Sequence, residues 1–302
     1  MKLFDPPRLT GRYLSRVLQS GWLTTGPRCQ ELQEAVAERM AVRPDCVVLG
    51  ASATACWQGV LDLTQPSRVH ITNATWPGMK QVAEHTNPCV LGNPIFVRTD
   101  IGGARCDDAP WGSTVGCTVR DACHSWVLDN SADFTLFSFY PTKLVPGAEG
   151  GCVVCRRPQD AERLRLHLYC GLRPGEAGQG RGPVLCGRKA NMTDVTAALN
   201  LEALELSPAY IKAIGDAWAQ LADCARARGL PFRIQLMRPY LFQVELPADQ
   251  VRPTIDALKL LGIPSAWNFP PAGLLTLPCY PGMTLTDADR VIDAVSKAAP
   301  SR

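Results

Sequence analysis

Two patterns of apolar residues alternate along the first two thirds of the chain. Leu32, Val36 and Met40 recur every four residues, which predicts a helix over Gln30–Met40. The short apolar run Cys46–Gly50 predicts a buried strand, and A-T-A-C-W-Q-G-V-L-D-L after it predicts a helix. Phe134, Leu136, Phe137 and Phe139 predict a second buried strand running on to Lys143, and Gly150–Cys155 predicts a third. A further helix is expected over Thr193–Glu205. Strands separated by helices are the signature of an α/β fold with a mainly parallel sheet, assigned here to a large domain at 1–205.

The remaining third, 206–302, reads as a smaller α+β domain. Ser207 suits an N-cap, Pro208 a first helical turn and Gly229 a helix end, with Ile211, Ile214, Trp218 and Leu221 as an apolar stripe. A strand is expected at Leu241–Leu246, followed by helices near Asp249–Leu261 and Thr286–Lys297. Thr286 with Asp289 resembles a capping box.

Candidate chemistry centres on Lys143, which ends the run F-S-F-Y-P-T-K just before A-E-G-G and stands 22 positions after Asp121. A lysine amine forms a Schiff base with an aldehyde, and a buried carboxylate keeps a pyridinium ring protonated. Pyridoxal phosphate (PLP) needs both of these from a protein. Taken alone, Lys143 reads as a surface lysine and Asp121 as a loop cap. Their neighbours reverse that reading: an apolar strand before the lysine, a glycine-rich loop after it, and Ser138 placed to donate a hydroxyl to an anion.

At this point the chain resembles the DegT/DnrJ/StrS family of PLP-dependent sugar aminotransferases, whose fold is the aspartate-aminotransferase type, fold type I. The motifs carrying the resemblance fall in the family's order. They are S-G-W-L-T-T-G-P from Ser20, A-S-A-T-A from Ala51, N-A-T-W from Asn73, D-A-C-H from Asp121, F-S-F-Y-P-T-K to Lys143, G-R-K-A-N-M-T-D from Gly187 and L-P-C-Y-P-G-M-T from Leu277. The resemblance implies that Lys143 is the Schiff-base lysine and Asp121 the partner of the pyridine nitrogen. It implies that Ser52, Ala53, Thr54 and Ser138 hold the phosphate, that Trp76 stacks on the ring, and that His124 meets its phenolic oxygen. It also implies that Asn191 reaches the phosphate of a neighbouring subunit, which makes the expected assembly a homodimer with shared active sites.

Several of these positions have a second reading from the residues themselves. Ser52 falls at a predicted helix N-terminus, which favours a phosphate but equally fits an ordinary N-cap. Trp76 is large enough to cover a pyridine, and equally fits a half-buried core aromatic. His124 can also be a satisfied structural histidine, and Asn191 a turn or capping residue before the next helix.

Departures from the family pattern are visible too. Ala53 replaces a glycine of the phosphate-binding motif, and Leu144 replaces the asparagine that usually follows the lysine. Between N-A-T-W and D-A-C-H only a short, irregular connection is expected, Gly92–Thr118, where the family places further strand and helix. The substrate half of the site is expected to be pared down while the cofactor half is kept.

Composition adds limits rather than identity. With 302 residues, 46% apolar and 20% charged, the chain fits an ordinary soluble enzyme with a substantial core. No signal peptide or membrane-length apolar run is read, and a cytoplasmic location is expected. The thirteen cysteines are scattered and read as free thiols. Cys152 and Cys155 lie three apart in a predicted strand, so they face opposite sides, and no metal site is expected. The segment 156–189 carries eight Lys/Arg against three acidic residues. It reads either as a solvated surface or as a binding region for phosphate-rich ligands, nucleotide or nucleic acid.

The resemblance implies PLP-dependent transfer of an amino group to a nucleotide-linked keto sugar from a small-molecule amino donor. A second reading keeps PLP but gives it a bulky substrate, such as decarboxylation of an amino-acid-modified base in phage DNA hypermodification. A third is a protein that keeps the fold without catalysis, against which an intact Lys143 and Asp121 argue.

Overall fold

The computed structural model describes residues 1–72, 75–86, 91–100, 116–173, 182–233, 238–266 and 273–299. Its centre is a six-stranded sheet of β1 (Val47–Gly50), β2 (Val69–Ile71), β3 (Ile95–Thr99), β4 (Cys117–Asp121), β5 (Phe134–Ser138) and β6 (Gly151–Cys155). The spatial order is β1-β6-β5-β4-β3-β2. Strands β2 to β5 pair in parallel, and β6 runs antiparallel between β5 and β1.

Both faces of this sheet are covered, which explains why its central strands are continuous apolar runs. Alternate residues serve opposite cores. Val47, Phe137, Cys152 and Val154 join α2 (Pro27–Met40) and α6 (Asp194–Ala227) on one side. Val48, Leu136, Val153 and Cys155 join α3 (Ala53–Thr64), α4 (Pro77–Glu84) and α5 (Pro158–Leu168) on the other. Cys152 and Cys155 therefore do face opposite sides of the sheet. The described cysteines are free, and among the described residues no His/Cys/Asp/Glu group could hold a metal ion. Nor is any described helix long and apolar enough to cross a membrane.

Helix α1 (Leu14–Ser20) packs on α6, where Glu202 fixes the preceding segment by accepting from the amides of Thr10 and Gly11 at 2.7 and 2.9 Å. Asp194, the first residue of α6, accepts from the backbone of Gly26, Arg28 and Cys29 at 2.8–3.0 Å. It thereby caps α2, whose own N-cap residue, Gly26, has no side chain to do so.

The sequence pattern predicted a break at Ser207–Pro208, but α6 is a single helix of 34 residues with Pro208 inside it. Ser207 is buried and its hydroxyl donates to the Leu204 carbonyl at 2.7 Å, so it is no N-cap. Guanidinium nitrogens of Arg39 donate to the Ser207 hydroxyl and the Leu204 carbonyl. These bonds and the packing against α2 hold the helix through the proline. The expected boundary between 205 and 206 thus falls inside a helix. The second half of α6 packs with β7 (Phe242–Glu245), α7 (Ala248–Leu260), β8 (Leu274–Leu277) and α8 (Leu285–Ala298) around Ile214, Trp218, Leu221 and Phe242. The capping box of α8 is Thr284 with Asp287, two residues earlier than expected. The segment Gly92–Thr118 is also more regular than expected, since it contains β3 and the start of β4. Residues 101–115 lie outside the described residues.

One contact sets the geometry of the site side of the sheet. A Cβ added at Gly151 would lie 2.4 Å from the Ala53 nitrogen, so the start of β6 lies directly against the N-terminus of α3. Gly151→Ala is expected to destabilise the protein by about 1–3 kcal/mol through overpacking against backbone that cannot yield. Gly215→Ala, in α6 with nothing within 4 Å, should instead stabilise by about 0.5–1 kcal/mol. Urea midpoints of the two variants check both signs.

Candidate active site

Strands β4 and β5 end side by side at the carboxyl edge of the parallel part of the sheet, the edge where open α/β sheets bind ligands. Asp121 ends β4, between Thr99 of β3 and Leu136 of β5. Ser138 ends β5 opposite Gly151. Because Gly151 touches Ala53, Ser138 also lies close to the start of α3. Ser52 caps that helix by accepting from the Ala55 amide at 3.0 Å, which leaves its own hydroxyl hydrogen to donate. The Ala53 and Thr54 amides open the helix without intrahelical acceptors. Ala53 has helical backbone geometry and is absent from the positive-φ residues, so losing the expected glycine costs the turn nothing.

Lys143 is not delivered by a strand, as the pattern suggested. Strand β5 stops at Ser138, and Tyr140–Lys143 forms a turn in which the Lys143 amide donates to the Tyr140 carbonyl at 2.9 Å. Pro141 occupies the second position, where its fixed φ is pre-set for such a turn. Lys143 Nζ lies 2.8 Å from His124 Nε2. Burial lowers the Lys143 amine below the ordinary lysine range, while Cys123 and the Asp121 carboxylate act in the opposite direction. Burial, reinforced by the charge of Lys143, pushes His124 well below its usual value, so it is neutral at pH 7.

Asp121 is 5% exposed and accepts from the Cys123 amide at 3.1 Å. Burial is the largest influence on it and raises its carboxyl, outweighing that amide and the charges of Lys143 and Arg120. The turn after it is held from below. Ser125 donates to Asp100, which pairs with the buried Arg120, and the Trp126 indole donates to the Ser138 carbonyl at 3.1 Å. Trp126 adopts φ 52°, a costly conformation for so large a residue, with its ring against Phe137 and Phe139.

Two predicted residues stand apart from this cluster. Trp76 is 51% exposed at the N-terminus of α4, and its ring lies over Gly78. Its neighbour Thr75 is hydrogen-bonded to Thr99 at 2.8 Å, beside Asp121, so Trp76 borders the site without covering it. Asn73 of the same motif is outside the described residues. Asn191 bridges to Gly50 and donates to Thr25 Oγ1, while its Oδ1 is buried without a hydrogen-bond partner. It lines a cavity of about 720 Å³ with Trp22, Arg165 and Tyr169, of which Lys143 is not a wall. Thr25 donates onward to the Met192 carbonyl, so the Asn191 amide is committed as a donor there. Contact with a phosphate requires that carboxamide to turn over.

Residues 114–227 match the sequence profile of the DegT/DnrJ/EryC1/StrS aminotransferase family. A putative sugar aminotransferase of Streptococcus pneumoniae, solved in its PMP form, superposes with TM-score 0.84 at 18% identity over 98% of this chain and 96% of its own. The aminotransferase TlmJ of Streptoalloteichus hindustanus gives 0.83 at 18% over 98% and 97%. DesI, solved in the presence of its TDP-sugar product, gives 0.82 at 20% over 98% and 92%. The fold is that of the DegT/DnrJ/EryC1/StrS aminotransferases.

The residues present fit the PLP implied by that family. The buried Asp121 carboxyl, raised by desolvation, would suit a protonated pyridine nitrogen. The α3 N-terminus, Ser52 and Ser138 converge around Gly151 as donors for a phosphate. Relative to the family pattern, Leu144 is fully buried and fills core instead of offering a polar group. The loop after the lysine is held by Asn200 of α6, which accepts from the Ala148 amide at 3.1 Å and donates to the Glu149 carbonyl at 2.8 Å. Neither Asn200, Trp126 nor Tyr240, whose hydroxyl donates to the Thr142 carbonyl, is marked by a local motif. Each acts across the fold from a distant or unremarked part of the chain.

A carboxyl raised in the folded state favours folding below its ordinary pKa, and this contribution is lost as pH rises through the raised value. Asp121→Asn is therefore expected to melt higher than the wild type in the cofactor-free protein at pH 7.5. The gap should close as pH falls towards about 4, the ordinary carboxylate range. Thermal melts across that window check the sign.

Proposed function

We propose that the protein is a PLP-dependent aminotransferase that transfers an amino group to a nucleotide-linked keto sugar, working as a homodimer with shared sites. The observation that carries the reading is the cluster of Asp121, His124 and Lys143 beside the α3 N-terminus. PLP supplies an electron sink for the charge left on a substrate carbon. Asp121 would hold the proton on the ring nitrogen. Lys143 Nζ would hold the aldehyde carbon and, once released by the incoming amine, take and return the substrate carbon's proton. Its lowered basicity suits that exchange near neutral pH. His124 Nε2, at 2.8 Å, would orient that amine. Ser52, Ser138 and the Ala53 and Thr54 amides would hold the phosphate.

The substrate class rests on DesI, a fold neighbour solved with a TDP-sugar product. The pairing of charges in the basic segment also favours a small substrate over a polymer. Arg156, Arg157, Arg173 and Arg188 each meet a carboxylate within 3.5 Å, and Lys189 lies over the Tyr169 ring. Arg165 is turned inward to the Asp45 and Val47 carbonyls. Arg181 lies outside the described residues. Glutamate, the donor usual in this family, is the first amino donor to test.

Purified protein should carry the visible absorbance of protein-bound PLP, and borohydride should fix the cofactor to Lys143. Lys143→Ala should abolish both. Asp121→Asn should keep the cofactor and lose about a hundredfold or more in turnover, because the ring proton is no longer held. A reducible adduct on a different lysine would overturn the assignment.

The shared site is supported by the placement of Asn191 in a cavity away from Lys143 and by the prevalence of two-fold dimers. Mixing Lys143→Ala with Asn191→Ala subunits should restore activity through one hybrid site. Two inactive parents whose mixture stays inactive would show that each chain completes its own site.

A further inference from the structure

We infer that Tyr240 is a positioning residue that fixes both the turn carrying Lys143 and the ring of His124. The inference rests on the reading of Lys143 as the reactive amine. Tyr240 lies two residues before β7, in the C-terminal α+β part of the chain, yet it is 3% exposed within the core of the site-bearing half. Its hydroxyl donates to the carbonyl of Thr142, the residue immediately before the lysine. The Lys143 amide on the other side of that peptide donates to Tyr140, so the peptide is held at both ends. The Tyr240 ring meets the His124 ring at 5.1 Å between centroids, tilted by 58°, and Phe4 stacks near it at 6.2 Å. His124 in turn is 2.8 Å from Lys143 Nζ. One side chain thus touches the backbone that carries the lysine and the hydrogen-bond partner of its amine.

A lysine has four rotatable side-chain bonds, and placing its nitrogen within reaction distance depends on how firmly its base is held. Burial pushes the Tyr240 phenol far above its ordinary value, so it stays protonated and keeps donating at any working pH. The carbonyl it meets belongs to the main chain, so its loss cannot be mimicked by any change at Thr142. Trp126 holds the neighbouring turn to Ser138, but it reaches neither Lys143 nor His124 in its described contacts.

The test follows Lys143 itself in the full-length protein stripped of PLP. The rate of reductive methylation at Lys143, located by peptide mass mapping, is measured against pH, with a thermal melt alongside. Tyr240→Phe keeps the ring and removes the donor. The loosened turn lets the amine relax towards water, so the midpoint should rise by about half a pH unit or more towards that of an ordinary lysine. Phe4→Ala removes packing from Tyr240 but leaves its hydroxyl, and should lower the melting temperature without moving the midpoint. A folded Tyr240→Phe protein with the wild-type midpoint overturns the inference, as does a Phe4→Ala midpoint that moves equally. Should the phenylalanine variant not fold, Tyr240→Met fills the same volume without a donor and is judged by the same criterion. Failure of the PLP reading appears separately, as wild-type protein with no borohydride-fixed adduct at Lys143, whatever the midpoints do.

Discussion

Much of this site follows from placing one carboxylate where water cannot reach it. Asp121 ends an internal strand, and burial raises its carboxyl despite the nearby Lys143 and Arg120. Such a group costs stability whenever it is ionised. The supporting interactions are similarly placed. Buried Arg120 is matched by Asp100, which also accepts from Ser125, so a second pair of charges braces the turn beneath the first. Trp126 accepts a left-handed backbone to tie that turn to the end of β5. Strain and desolvation thus gather around the candidate site.

The opposite side of the site is made of absence. Gly151 allows β6 to lie against the first turn of α3, and a Cβ at Gly147 would overlap the Asn200 carboxamide. These two close approaches bring the helix start to the sheet edge and the glycine-rich loop to α6. Positive dipole and free amides then face Ser138 across a gap set by backbone contact, not by flexible side chains. A site defined in this way tolerates Ala53 in place of glycine, because the helical φ there does not demand one.

Residues acting through local pattern were legible in the sequence. The apolar runs of β1, β5 and β6 could be read because both sheet faces are buried, and Lys143, Asp121 and Ser52 because short motifs carry them. What escaped was what depends on distant partners. Ser207–Pro208 has every local mark of a helix start, yet Arg39 and the packing of α2 hold the helix through it. Strand β3 was hidden in a segment rich in Gly, Asp and Pro, with only five residues of alternating burial to betray it. Tyr240 and Asn200 act over separations of 98 and about fifty residues, and no spacing rule reaches that far.

Helix α6 gives the molecule a single shaft. At about 1.5 Å per residue its 34 residues span on the order of 50 Å. Along that length it caps α2 with Asp194, holds the lysine loop with Asn200 and fixes the N-terminal segment with Glu202. It then becomes a wall of the C-terminal core through Ile214, Trp218 and Leu221. A rod shared in this way leaves no joint at the place where a two-part chain would ordinarily bend. A break introduced near Pro208 would therefore loosen both cores at once.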